Sequence, residues 1–199
     1  MPHRSSHRLA VAPIALAAAL LSGRAAFAHG ETPAEASGVK AEILLWIDDA
    51  QDKLIQLAEA IPERKYGWSP DKNVRNVGGI FMHVSAANYG IPSFIGVPAP
   101  KGFDFGTFEH TLTAKADIVK SLKDSFTHVT GALEAMSDED LNKPAEFFGM
   151  KTTRRGAFMM LLAHAHEHLG QGIAYARSIR VTPPWSVKPA AANAHAPKK

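Results

Sequence analysis

Residues Arg155–Ile179, RGAFMMLLAHAHEHLGQGIAYARSI, decide the fold. The stretch holds no proline, and Phe158, Leu161, Leu162 and Ala165 recur at helical spacing. That periodicity predicts one long helix with a single apolar face. Thr182-Pro183-Pro184-Trp185 stops it, because proline cannot continue a helix. His164 and His168 lie four residues apart in its middle, so they differ by about 40° around the axis and about 6 Å along it. The apolar flank turns both towards the core. His166 is about 200° from His164 and points away.

A helix with one buried face needs partner helices, and the pattern recurs upstream. Ala41–Ile61 carries Ile43, Ile47, Ala50, Leu54, Leu57 and Ile61 on one stripe, and Pro62 ends it. A second helix is expected from Asn73, a good N-cap, to Tyr89, with Gly90 and Pro92 breaking it. A third runs from Thr113 to Met136, with Ile118, Leu122, Phe126, Val129 and Leu133 on one face. Ser137 caps a further short turn, and Pro144–Thr153 reads as a connection. There is no internal repeat and no strand pattern. The expected fold class is all-α: a four-helix bundle over residues 39–186. Gly90–Phe108, rich in Gly, Pro and Phe, is too long for a tight hairpin between helices. It suits a crossover that leaves helices two and three parallel, giving up-down-down-up topology.

Composition narrows the function. Of 199 residues, 46% are hydrophobic and 21% charged, which fits a globular domain and excludes a disordered or collagenous chain. Cysteine is absent, which excludes disulfides, thiolate metal sites and a Cys nucleophile. The net charge of +3 comes from Arg4, Arg8 and Arg24, since the rest of the chain is formally neutral. The basic pI is therefore no argument for nucleic acid. Residues 1–28 read as a Sec-type signal peptide: Arg4 and Arg8, the uncharged run Leu9–Leu21, then Ala26-Phe27-Ala28 as an A-x-A cleavage site. An uncleaved anchor is the alternative. Cleavage would expose His29 and place the mature protein in the periplasm or outside the cell, with no membrane segment left. Residues 187–199, rich in Ala, Pro and Lys, read as a disordered tail.

The histidines carry the chemistry. His-x-x-x-His occurs by chance, so His164 and His168 alone do not make a metal site. His83 falls on the inward stripe of the second helix, between Ile80 and Ala87, where a lone His is usually a satisfied core residue. Brought across the bundle to the pair, it completes three neutral imidazoles around one cation. Three protein ligands leave positions open for water or substrate, the pattern of a catalytic rather than a closed structural site. Gly170 on the same helix is expected to allow close approach of a neighbour.

These residues also carry a resemblance. Val77-Gly78-Gly79-Ile80-Phe81-Met82-His83-Val84, then His164-x-x-x-His168-Leu169-Gly170-Gln171, Tyr175-Ala176-Arg177 and Thr182-Pro183-Pro184, resemble the DinB-like family of four-helix metalloproteins from Ala41 to Trp185. The resemblance implies His83, His164 and His168 as metal ligands and a divalent ion such as zinc or nickel. It also implies relatives that include thiol-dependent transferases and an isomerase. Leu169 departs from the family, where many members have Arg.

Other residues are open to two readings each. Asp48 and Asp49 offer a base or a solvated surface. Asn88, Tyr89 and Tyr175 offer a pocket wall or core packing. Arg154, Arg155 and Arg177 offer an anion site or a helix surface, and the Phe-bearing loop a lid or a plain crossover. No HExxH motif, catalytic triad or phosphate loop is present. The expectation is an exported metal-dependent enzyme of transferase or hydrolase type acting on an unidentified small molecule. The alternative is a non-catalytic periplasmic metal-binding or stress-associated protein. A homodimer is compatible with either.

Overall fold

The computed structural model describes residues 38–187. The expected leader, 1–28, and all of the expected tail except Val187 lie outside the described residues. Four long helices, α1 (Val39–Ala60), α2 (Val77–Ser93), α3 (Lys115–Glu134) and α5 (Arg154–Ser178), form the bundle. Between α3 and α5 come a short helix, α4 (Asp138–Asn142), and a hairpin of β1 (Pro144–Phe147) with β2 (Met150–Thr153). No helix among the described residues is long and apolar enough to cross a membrane.

Each helix packs on two neighbours, in the cyclic order α1, α3, α2, α5. Residue contacts give the directions. Lys115 Nζ, at the start of α3, donates to the carbonyls of Glu59 and Ile61 at the end of α1, at 2.7 and 2.8 Å. Lys40 Nζ, at the start of α1, donates to Met136 O beyond the end of α3 at 3.0 Å. These lysines run α1 and α3 antiparallel and satisfy carbonyls that a helix end leaves open. Gly78 faces Ile118 and Asn88 bonds Ser125, so α2 and α3 are parallel. Gly172 faces Leu57, and His166 lies 4.0 Å from Asp49, so α5 runs with α1. The expected up-down-down-up order follows. The core is filled by the predicted stripes, with Ile47, Leu54 and Leu57 of α1, Leu122 and Phe126 of α3, and Phe158 of α5 fully buried.

Three local expectations are corrected. The N-cap of α2 is Asn76 and not Asn73: its side-chain oxygen accepts from Gly79 N–H at 2.7 Å. The same helix runs past Gly90 and Pro92 to Ser93. Pro92 stands in the last turn, where a kink displaces no further helix, and its carbonyl still accepts from the N–H groups of Ile95 and Val97 at 3.0 Å each. Gly90 is needed for packing, since a Cβ there would lie 2.1 Å from the Phe105 ring. The third correction is the 144–153 connection, which is an antiparallel hairpin turning at Phe148 and Gly149, both with positive φ (50° and 76°). Ser137 does cap α4, in a reciprocal capping box with Asp140.

Candidate metal centre

The triad is assembled from α2 and α5, which run antiparallel side by side. Helix α5 starts at Thr153, whose hydroxyl accepts from Gly156 N–H at 3.2 Å, and it carries His164 and His168 on successive turns of one face. Helix α2 brings His83 opposite them. The imidazole centroids lie 4.9 Å (His83–His164), 4.7 Å (His83–His168) and 4.4 Å (His164–His168) apart. One nitrogen from each ring falls within 4.8 Å of the other two. The structure thus brings together all three sequence-predicted residues. His166 points off the other side, exposed, with Nδ1 at 3.0 Å from Leu162 O.

Hydrogen bonds fix which nitrogens face inward. His83 Nδ1 lies 2.5 Å from Glu109 Oε1. An ionised carboxylate only accepts, so Nδ1 carries a proton, and in the neutral ring that leaves the Nε2 lone pair bare. His168 Nδ1 lies 2.9 Å from Gln171 Oε1, whose amide nitrogen donates to Tyr175 OH at 3.3 Å. Gln171 therefore accepts from His168 and leaves its Nε2 bare as well. His164 Nε2 approaches His83 Nε2 to 3.1 Å, while its Nδ1 is buried without a hydrogen-bond partner among the described residues.

Electrostatics disfavour a charge on the two histidines of α5. His164 is driven down to about 3 by burial, by its neighbours His168 and His83, and by Arg75. His168 is lowered too, chiefly by burial, although the Gln171 bond works the other way. For Glu109, burial works to raise the pKa. The hydrogen bonds from Arg75 and His83 outweigh it and hold the carboxyl below its usual range.

The donor set fits a divalent cation. Two ligand nitrogens of a tetrahedral zinc site, with Zn–N of about 2.0–2.1 Å, stand roughly 3.3 Å apart. The His83–His164 separation of 3.1 Å is close to that. Two bare nitrogens this close repel unless a cation or a proton is shared between them.

Several residues that the sequence leaves open lie elsewhere. Asn88 bonds Ser125 in the α2–α3 interface, and Tyr89 packs on Phe103, Phe108 and His128. Asp49 pairs with Lys53, and Asp48 is exposed. Arg154 stands 3.7 Å from Asp140. Tyr175 does connect to the triad, through Gln171. Gly170 is exposed, and a Cβ added there would meet nothing within 4 Å. Gly172 is the glycine that lets α1 approach, since a Cβ at that position would lie 3.0 Å from Leu57. Sequence reasoning misses Glu109 and Arg75. Glu109 comes from a 3-10 turn at the end of the crossover, Phe108–His110, and Arg75 from the loop before α2. With Asn73, Gly106, His110 and Gln171 they line a cavity of about 490 Å³ on the outer side of the imidazoles.

Comparisons with known proteins agree with this architecture. A DinB-like protein from Bacillus cereus superposes with a TM-score of 0.61 at 19% identity, covering 70% of this chain and 94% of its own. The DinB-like protein YjoA from Bacillus subtilis gives 0.57 at 21% identity, covering 71% and 93%. YfiT from Bacillus subtilis, described as a probable metal-dependent hydrolase with an unusual four-helix bundle topology, gives 0.58 at 14% identity, covering 72% and 89%. No curated protein matches. The profile of the DinB superfamily matches residues 47–171, a span that includes His83, Glu109, His164 and His168, and the chain belongs to that superfamily.

Proposed function

We propose that this is an exported divalent-metal protein in which His83, His164 and His168 hold one ion, zinc or nickel by donor type. We read it as a metal-dependent enzyme of hydrolase or transferase type. The observation that carries the reading is the 3.1 Å approach of His164 Nε2 to His83 Nε2, whose ring is oriented by Glu109, with a nitrogen of His168 within 4.8 Å of both. Three imidazoles leave coordination positions for a small-molecule substrate. When bound, the ion would supply Lewis acidity and favour the anionic form of a nucleophile. The chain's own part is positional. Glu109 orients His83, Gln171 orients His168, and neither His serves as a general base, because its lone pair is committed.

The hydrolase description of YfiT supports the enzymatic reading. One observation favours a second reading, a non-catalytic periplasmic metal-binding or stress-associated protein. Glu109, the carboxylate that touches the triad, is engaged on both oxygens by His83 and Arg75 and so is a poor proton acceptor. Export rests on the order of Arg4 and Arg8, the Leu9–Leu21 run and Ala26-Phe27-Ala28, and N-terminal sequencing from the native host should then begin at His29.

Elemental analysis after identical dialysis tests the site. His83→Ala, His164→Ala and His168→Ala should each lose most of the bound metal, and His166→Ala should keep it. Equal loss in His166→Ala and His168→Ala would assign the ion to a surface cluster. A cobalt-substituted sample whose ligand field responds to a small thiol or ester favours the enzyme; an inert one favours the binder.

A further inference from the structure

The three imidazoles are not held alike. The outer nitrogen of His83 meets a carboxylate, Glu109; that of His168 meets a neutral amide, Gln171; that of His164 has no hydrogen-bond partner among the described residues. Glu109 is itself gripped. Arg75 Nε donates to Oε2 at 2.8 Å, and a terminal Arg75 nitrogen donates to Oε1 at 3.3 Å. This fork sets the plane of the carboxylate as well as its position. The Glu109 side chain is 18% exposed and that of Arg75 43%, so the carboxylate is sheltered while solvent reaches the guanidinium.

We infer that Glu109 is the positioning residue for His83 and that Arg75 holds Glu109 in place, so that the end of the crossover presets the metal centre. The inference rests on reading the triad as that centre. Its chemical content is the tautomer. A carboxylate at Nδ1 keeps a proton there, turns the ring, and aims Nε2 of the neutral imidazole at His164 as the donor. Without Glu109 the ring is free to move its proton to Nε2, the nitrogen the ion needs. His83 should therefore be the ligand most sensitive to its outer partner, ahead of His168 with its neutral amide.

Two measurements on the folded mature protein test this. Long-range nitrogen–proton NMR on the metal-free protein reads the His83 tautomer, and chelator competition reads zinc affinity. Wild type should show the proton on Nδ1. Glu109→Ala should shift the population towards Nε2–H and weaken zinc by about 10–100-fold. Glu109→Gln, which keeps an accepting oxygen, should retain the tautomer and recover part of the affinity. Arg75→Ala should weaken zinc in the wild-type background and not in Glu109→Ala. Unchanged tautomer and zinc affinity within twofold in folded Glu109→Ala overturn the inference; if that variant does not fold, zinc affinity within twofold of wild type in Glu109→Gln overturns it. Loss of zinc in His83→Ala alone would then leave the metal centre standing. A wild type that binds no zinc or nickel sinks the metal centre itself, while the tautomer still reports on Glu109.

Discussion

His164 shows how much one position can be pushed by its surroundings. Burial, two neighbouring imidazoles and Arg75 all oppose a positive charge there, and Glu109 only partly offsets them, so the ring stays neutral in the native state down to about pH 3. In the unfolded chain it titrates near 6.5. Between these values the unfolded state binds the extra proton, so acid favours unfolding. His168 acts in the same direction through its own burial. The metal-free protein should therefore hold its stability above about pH 6.5 and lose it progressively as the pH falls towards 3. Urea midpoints measured across that range should fall less steeply in His164→Gln than in wild type. Parallel acid limbs would mean that other groups dominate. This triad is legible in the sequence because two of its members share a helix face and the third sits on an apolar stripe. Glu109 is not. It lies 26 residues from His83, in an irregular turn after a crossover, and no periodicity connects the two.

At the scale of the element, glycines separate what pattern reading resolves from what it misses. A Cβ at Gly131 of α3 or Gly170 of α5 would meet nothing within 4 Å, whereas at Gly172 it would touch Leu57 at 3.0 Å. Replacing Gly by Ala in a helix interior gains about 0.5–1 kcal/mol where there is room. Gly131→Ala and Gly170→Ala should each raise stability by that amount, and Gly172→Ala should lower it, because Leu57 is fully buried and has little room to yield. Thermal or urea unfolding of the three variants checks the order; a stabilised Gly172→Ala would refute the close packing. Gly90 adds a conditional case. Its Ala variant should destabilise the wild type, where Phe105 covers the position, and stabilise a Phe105→Ala background. Helix boundaries are readable where caps and stripes coincide, as at Ser137 and along α1. They mislead in α2, where Gly90 signals close packing and Pro92 falls in a turn that can accept it. The hairpin is hidden for a related reason: its turn places Phe148 at positive φ, where Asn or Asp would have announced it.

Across the whole molecule, the candidate site joins segments that the chain order keeps apart. The up-down-down-up order sets α2 beside α5 and lets the crossover return Glu109 to the head of α2. A short hairpin between helices two and three would have placed neither. An ion held by His83, His164 and His168 would thus bind only where α2 and α5 are packed together, and it would stabilise the native state by linkage alone. At a thousandfold excess over the dissociation constant that amounts to about 4 kcal/mol. For a domain of this size each kcal/mol moves the midpoint by about 2–4 °C, so Tm should rise by roughly 8–16 °C. The rise should grow with zinc or nickel concentration, reverse with chelator, and vanish in His83→Ala, whose α5 pair is intact but has lost its partner across the bundle. A full rise in His83→Ala would place the ion on α5 alone and remove the reason for the two helices to meet at that point. A rise that the wild type shows and His166→Ala equals, but that each triad variant loses, is the pattern expected of an ion shared between the two helices.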